Sequence, residues 1–148
     1  MISGSVTLTQ AQGIHRQFIA NDNRGHHFIL DDAAGNTGPK SIELIAIGLA
    51  ECTAFDVVNI LGKKRQVVAG YEVTVEADQR QQQPNIFTKA RVRHVVTGED
   101  VSEEAMKAAI HLSESKYCSV SAMLAASGAE IETTFEIVPV VEAAAVGA

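Results

Sequence analysis

The chain has only two cysteines in 148 residues, Cys52 in GLAECTAFD and Cys118 in SESKYCSVSAML. So few exclude a disulfide scaffold, and a chain of this length can bury a core without one. It also lacks an excess of basic residues. Lys plus Arg number 12 against 18 Asp plus Glu, a formal charge of −6. That balance argues against a nucleic-acid footprint and against an anionic membrane surface. The opening MISGSVTLTQ lacks the basic and apolar regions of a signal peptide. No uncharged apolar run reaches 18 residues, because Glu43, Glu51, Asp56 and Asn59 interrupt the segment 42–61. No membrane span is expected, and the expected compartment is the cytosol. In the cytosol a transient redox role suits two cysteines better than a structural disulfide. There is no CxxC, no glycine-rich phosphate loop in strand–helix context, no visible Ser-His-Asp arrangement and no internal repeat.

What is present reads as one domain over 1–148, with a weakly patterned tail at 140–148 expected to be disordered. Alternating or apolar runs at 5–12, 15–22 and 26–32, separated by turn residues such as NDNRG, predict an antiparallel meander. A loop rich in Gly, Asn and Pro follows at 31–41. The run 41–64 is too long and too uniformly apolar for a strand, so it predicts a helix. Ser41 is its expected N-cap and Glu43 lies in its first turn. Stretches 67–79 and 86–98 predict a β-hairpin, with Lys89, Arg91 and Arg93 on one face. Helices are expected at 100–116, capped by Asp100 with Glu103 at capping-box spacing, and at 118–128, ending at Gly128. Met106, Ala109, Ile110 and Ser113 form the inner stripe of the first. A last strand occupies 130–140.

The fold class is therefore α+β, an antiparallel sheet of about six strands around a long, buried central helix. A helix that is apolar nearly all round needs cover on every side. A homodimer in which two sheets wrap two such helices would supply it.

Each cysteine has two readings. Cys52, in mid-helix among apolar residues, can be a small core filler with a raised pKa, inert unless a cation or hydrogen bond activates it. Cys118 opens a helix, where the dipole and free N–H groups would lower its pKa, or it is a helix-start residue with no chemistry. His15, His26, His27, His94 and His111 show no metal-ligand spacing relative to either cysteine, so no zinc site is expected. Asp56 lies at i+4 from Cys52 on the same helix face, where it would disfavour a thiolate. It and Glu51 read as structural anchors, and Tyr117 reads as a packed aromatic.

The stretches GPKSIELIAIGLAECTAFDVV (38–58) and AAIHLSESKYCSVSAML (108–124) closely resemble the two signature helices of the OsmC/Ohr family, in its OsmC-like branch. With the element order, the resemblance covers roughly residues 5–138. It implies an intertwined homodimer of two six-stranded sheets around two long helices. It also implies a cysteine-based peroxidase of organic hydroperoxides. Cys52 would be the peroxidatic thiolate, oxidised to a sulfenic acid, and Cys118 would condense with it to a disulfide. An external dithiol, of the lipoyl type in the Ohr branch, would reduce the pair. No metal or organic cofactor is implied. The family activates its first cysteine with an Arg from the N-terminal meander and a Glu ten residues before the cysteine. Here Ile42 stands at that Glu position. Glu43 is rotated from it by about 100° and is not credited with the role. Arg24 is the candidate Arg and Arg16 the runner-up. Two other readings stay open: a binding module for a small apolar ligand, which Ile42 favours, and a redox sensor using the same pair.

Overall fold

The computed structural model describes residues 1–10 and 16–141. The expected tail beyond residue 141, and His15, lie outside the described residues. Two compact units divide the chain, 1–45 and 46–148.

In the N-terminal unit, β1 (Gly4–Gln10), β2 (Gln17–Asp22) and β3 (His27–Leu30) form the expected antiparallel meander. The β2–β3 turn is set by Asp22. Its Oδ1 accepts the backbone N–H groups of Arg24 and His26, and its Oδ2 pairs with His26 Nδ1 at 2.7 Å. Gly25 takes φ +90°, a conformation that glycine adopts without penalty.

Helix α1 (Ser41–Lys63) begins at the end of this unit. Ser41 is its first residue and not the N-cap. Glu43 does the capping, accepting the Lys40 N–H on Oε2 at 2.8 Å. That bond satisfies a donor the helix cannot reach and gives Glu43 a purely local task. Within the chain α1 is buried on one face, through Leu49, Thr53, Val57, Ile60 and Leu61. Ile47, Phe55 and Val58 remain exposed, Phe55 at 66%. The all-round burial expected of α1 is thus not met by the chain itself. By length and composition α1 could cross a membrane, yet it also supplies these core residues.

In the second unit, β4 (Gly70–Gln79) and β5 (Phe87–Thr97) form the expected antiparallel hairpin. The last strand, β6 (Glu130–Val138), pairs with β5 in parallel, contrary to the all-antiparallel expectation. The reason is the crossover: parallel neighbours need a long connection, and the helices between β5 and β6 provide it. The six strands therefore lie in two sheets of three, ordered β1-β2-β3 and β4-β5-β6.

Helix α2 (Glu103–Leu112) is capped by Ser102, whose Oγ accepts the Ala105 N–H at 3.2 Å. The expected cap, Asp100, instead sits at φ +57° in the preceding turn. Met106, Ala109 and Ile110 bury the inner face of α2 against Val57, Ile60, Leu61 and Val96. A π turn (Ser113–Tyr117) then leads into α3 (Ser119–Ala126), which ends near Gly128 at φ +94°.

A buried histidine in this unit has a polar partner. The Tyr71 hydroxyl meets His94 Nδ1 at 2.5 Å, and His94 is fully buried. Burial holds the His94 imidazole down to about 4.

Candidate functional site

The site lies where α1, the π turn and α3 meet, and each element fixes one part of it. Cys52 sits mid-way along α1 and is partly exposed. One turn on, Asp56 projects from the same helix face. The π turn ends with the Cys118 N–H donating to the Ser113 carbonyl at 2.8 Å, a bond five residues back along the chain. Such π segments insert an extra residue per turn and recur at functional sites. Cys118 then serves as the N-cap of α3: its sulfur accepts the Ser121 N–H at 3.3 Å.

The result is a compact cluster. Cys52 Sγ, Cys118 Sγ and an Asp56 carboxylate oxygen all lie within 4.8 Å of one another. Both cysteines are free thiols. Ser113, fully buried, donates from Oγ to Asp56 Oδ2 at 2.9 Å and lies 3.3 Å from Thr53 Oγ1.

The electrostatics of Cys118 run against the helix-start expectation. Burial is the largest influence and pushes its thiol up to about 12, helped by a hydrogen bond to Cys52 and by the charges of Cys52 and Asp56. The Ser121 N–H pulls the other way but does not prevail. Burial disfavours the charged form of a thiol, and Cys118 is only 3% exposed. Cys118 is therefore a protonated thiol near neutrality. Cys52, the more open sulfur, is the one that can meet a reagent from solution.

The other residues singled out by sequence lie on other elements. Arg24, in the β2–β3 turn, and Arg16 are exposed and belong to the N-terminal unit. Ile42, with Arg16, Phe18, Leu30 and Lys40, lines an open and mainly apolar cavity of about 480 Å³ in that unit. Glu51 is exposed and anchors nothing in the site. Tyr117 is half-exposed with the Lys116 ammonium 5.3 Å from its ring centre, so it is not the packed aromatic expected. Sequence reasoning missed the link between Asp56 and Ser113. The i+4 spacing of Asp56 from Cys52 was visible, but its partner is 57 residues away along the chain.

Fold and site together define a small α+β protein that gathers two reduced cysteines and a carboxylate at a junction of helices. The chain belongs to the OsmC-like protein family, whose sequence profile matches residues 34–134. It is 35% identical over 121 residues to protein YhfA of Escherichia coli K12, covering 82% of this chain and 90% of YhfA. Among solved structures, it superposes on a hypothetical protein from Aquifex aeolicus VF5 with a TM-score of 0.82 at 26% identity, over 95% of this chain and 98% of the other. It also shares its fold with an organic hydroperoxide resistance protein from Elizabethkingia anophelis: TM-score 0.59, 16% identity, 94% and 96% coverage.

Proposed function

We propose that this protein is a thiol-dependent peroxidase of organic hydroperoxides acting in oxidative stress defence in the cytoplasm. The observation that carries the reading is the pair of free sulfurs within 4.8 Å of each other, one partly exposed and one buried. In the first step the Cys52 thiolate attacks a peroxide oxygen and the O–O bond breaks. Cys52 becomes a sulfenic acid, and the alkoxide leaves as an alcohol after taking a proton. In the second, the Cys118 sulfur attacks the Cys52 sulfur and loses its proton. The S–O bond breaks, water leaves and a disulfide remains. An external dithiol, of the lipoyl type, then returns both thiols and is itself oxidised. The sulfur chemistry requires no resident metal or organic cofactor. Arg24 is proposed as the activating cation, as the family resemblance implies.

The exposed apolar side of α1, with Ile47, Phe55 and Val58, supports a homodimer as the working form. A binding module with little turnover is the second reading. Its support is the mainly apolar cavity bearing Ile42, where the family's activating Glu would stand.

The test is a thiol count with intact mass after a small excess of an organic hydroperoxide is added to reduced protein. The expected result is loss of both thiols and of about two hydrogens in mass, with Cys118→Ser stalling at a sulfenic or higher oxide. A redox sensor would give the same disulfide without turnover when dithiol is supplied. If both thiols persist while a free-thiol control is oxidised, the peroxidase reading fails and the binding module takes its place.

A further inference from the structure

The peroxidase reading uses two sulfurs and leaves the third member of the cluster, Asp56, without a task. We propose that Cys52, Cys118 and Asp56 form a binding site for one thiophilic divalent cation of the zinc class, available only while both cysteines are reduced. The inference goes beyond the peroxidase reading and does not depend on it.

Four observations support it. The first is geometric: the three ligand atoms lie within 4.8 Å of one another. Zinc bonds of about 2.3 Å to sulfur and about 2.1 Å to oxygen place tetrahedral ligand atoms roughly 3.5–3.8 Å apart. Closing onto an ion therefore needs side-chain movements on the order of 1 Å. The second is the ligand set. Two sulfurs and one carboxylate match a site with three protein ligands and an open fourth position, which the partial exposure of Cys52 leaves to water.

The third is the surrounding support. Ser113 donates to Asp56 Oδ2 at 2.9 Å, holding the carboxylate as partners of metal-ligating groups do. The Ser121 N–H points at Cys118 Sγ at 3.3 Å and would serve a bound thiolate equally well. The fourth is charge. Fully ionised, the cluster would hold two thiolates and a carboxylate with little water around the inner sulfur. A divalent cation relieves that repulsion and displaces thiol protons on binding. Lys63 and Lys64 line an open cavity of about 310 Å³ together with Asp56 and Tyr117.

None of the histidines has ligand spacing relative to either cysteine, so spacing along the chain points to no third ligand. Asp56 needed only its i+4 spacing from Cys52, but Cys118 had to be brought to both by the fold.

A consequence follows for the peroxidase reading. A bound ion would tie up both sulfurs, and formation of the disulfide would eject it.

The experiment titrates the reduced full-length protein with Zn²⁺ in competition with a chromophoric chelator. A parallel titration with Co²⁺ reads thiolate-to-cobalt charge-transfer absorption. The expected result is a single equivalent bound and a charge-transfer band of two-thiolate intensity. Cys52→Ser and Cys118→Ser should each lower affinity by at least 100-fold and halve or abolish the band. Asp56→Asn should lower affinity by roughly 10- to 100-fold, and Ser113→Ala by about 10-fold. Absence of a one-to-one complex tighter than about 10 µM overturns the proposal. So does binding that survives both serine variants, which would place the ion elsewhere, for example at the Asp22–His26 pair. Binding that needs both cysteines but ignores Asp56→Asn overturns the three-ligand site. Cys52→Ala and Cys118→Ala provide the same test if a serine variant fails to fold. The titration is done without peroxide, so the peroxidase reading can fail while this one holds, and the reverse.

Discussion

The two units of this chain bury their apolar residues very differently. Residues 46–148 contain two clusters of fully buried side chains, built on Val57, Leu61, Val96 and Met106 and on Leu49, Ala90 and Val92. The N-terminal unit, among its described residues, buries only Ala20 and Asp31. Its strands leave Val6, Leu8, Phe28 and Ile29 exposed. A small sheet gains independent stability by burying a hydrophobic face or packing against a helix. The contrast teaches that the second unit can carry the stability of the chain, whereas the first depends on whatever covers its strands.

Substitutions in the two units should separate accordingly. Leu61→Ala empties a fully buried position and should cost about 2–5 kcal/mol in urea unfolding. Phe28→Ala removes a side chain that is 47% exposed and should cost less than about 1 kcal/mol if nothing covers the strand. A cost for Phe28→Ala near that of Leu61→Ala would break the contrast. It would mean that the meander is covered in solution, and the cost should then depend on protein concentration.

The histidines sharpen the same contrast. His26, in the N-terminal unit, is exposed, with its Nδ1 2.7 Å from Asp22 Oδ2. His94 is fully buried, and among the described residues its Nε2 has no partner. Burial holds His94 at about 4, against an ordinary value of 6.5. The native protein therefore keeps it neutral where the unfolded chain would protonate it. Stability is complete above about pH 6.5 and falls as pH drops toward 4, by roughly 3 kcal/mol in all. Asp22 is held down to about 2, chiefly by its hydrogen bonds with His26, so its own loss is centred below pH 4 and adds little at pH 4.5. Urea unfolding at pH 7.0 and 4.5 measures the slope, and His94→Gln should flatten it. A wild-type slope that His94→Gln leaves unchanged would assign the acid sensitivity elsewhere.

Two positions on α1 carry the next, smaller effect. Phe55 is 66% exposed, and Val58 lies one turn further on. Phe55→Ser should leave the unfolding free energy at low protein concentration within about 0.5 kcal/mol of wild type. In sedimentation it should weaken self-association. A large stability loss at all concentrations would instead place Phe55 inside the chain's own core.

Much of this architecture is legible before any coordinates. Helix α1, expected at 41–64, runs from Ser41 to Lys63, and the meander and the β4–β5 hairpin fall where alternation put them. Long periodic segments announce themselves because every residue repeats the same message. Single-residue decisions do not. In DVSEE the expected cap is Asp100, and only the backbone shows that Ser102 takes that place. The direction of β6 depends on the path of two helices, which alternation within a strand does not encode. At the site, the two cysteines were found through their motifs. The Asp56–Ser113 bond joins α1 to the π turn across 57 residues, and neither residue type signals it locally.

The smallest expected effect tests whether charge contributes where burial does not. Lys89, on the β4-β5-β6 sheet, lies 2.5 Å from Glu132 and 3.6 Å from Glu130. The pairing raises the Lys89 ammonium and lowers the Glu132 carboxyl, chiefly through their shared hydrogen bond. Both partners are well solvated, so water and salt offer the separated charges nearly the same stabilisation. Lys89→Met should therefore leave Tm unchanged within error at physiological salt, with a small decrease emerging only at low ionic strength. A clear loss at high salt would mean that the strand-borne ion pairs act as a network, and the stability of the second unit would no longer follow from its buried apolar clusters alone.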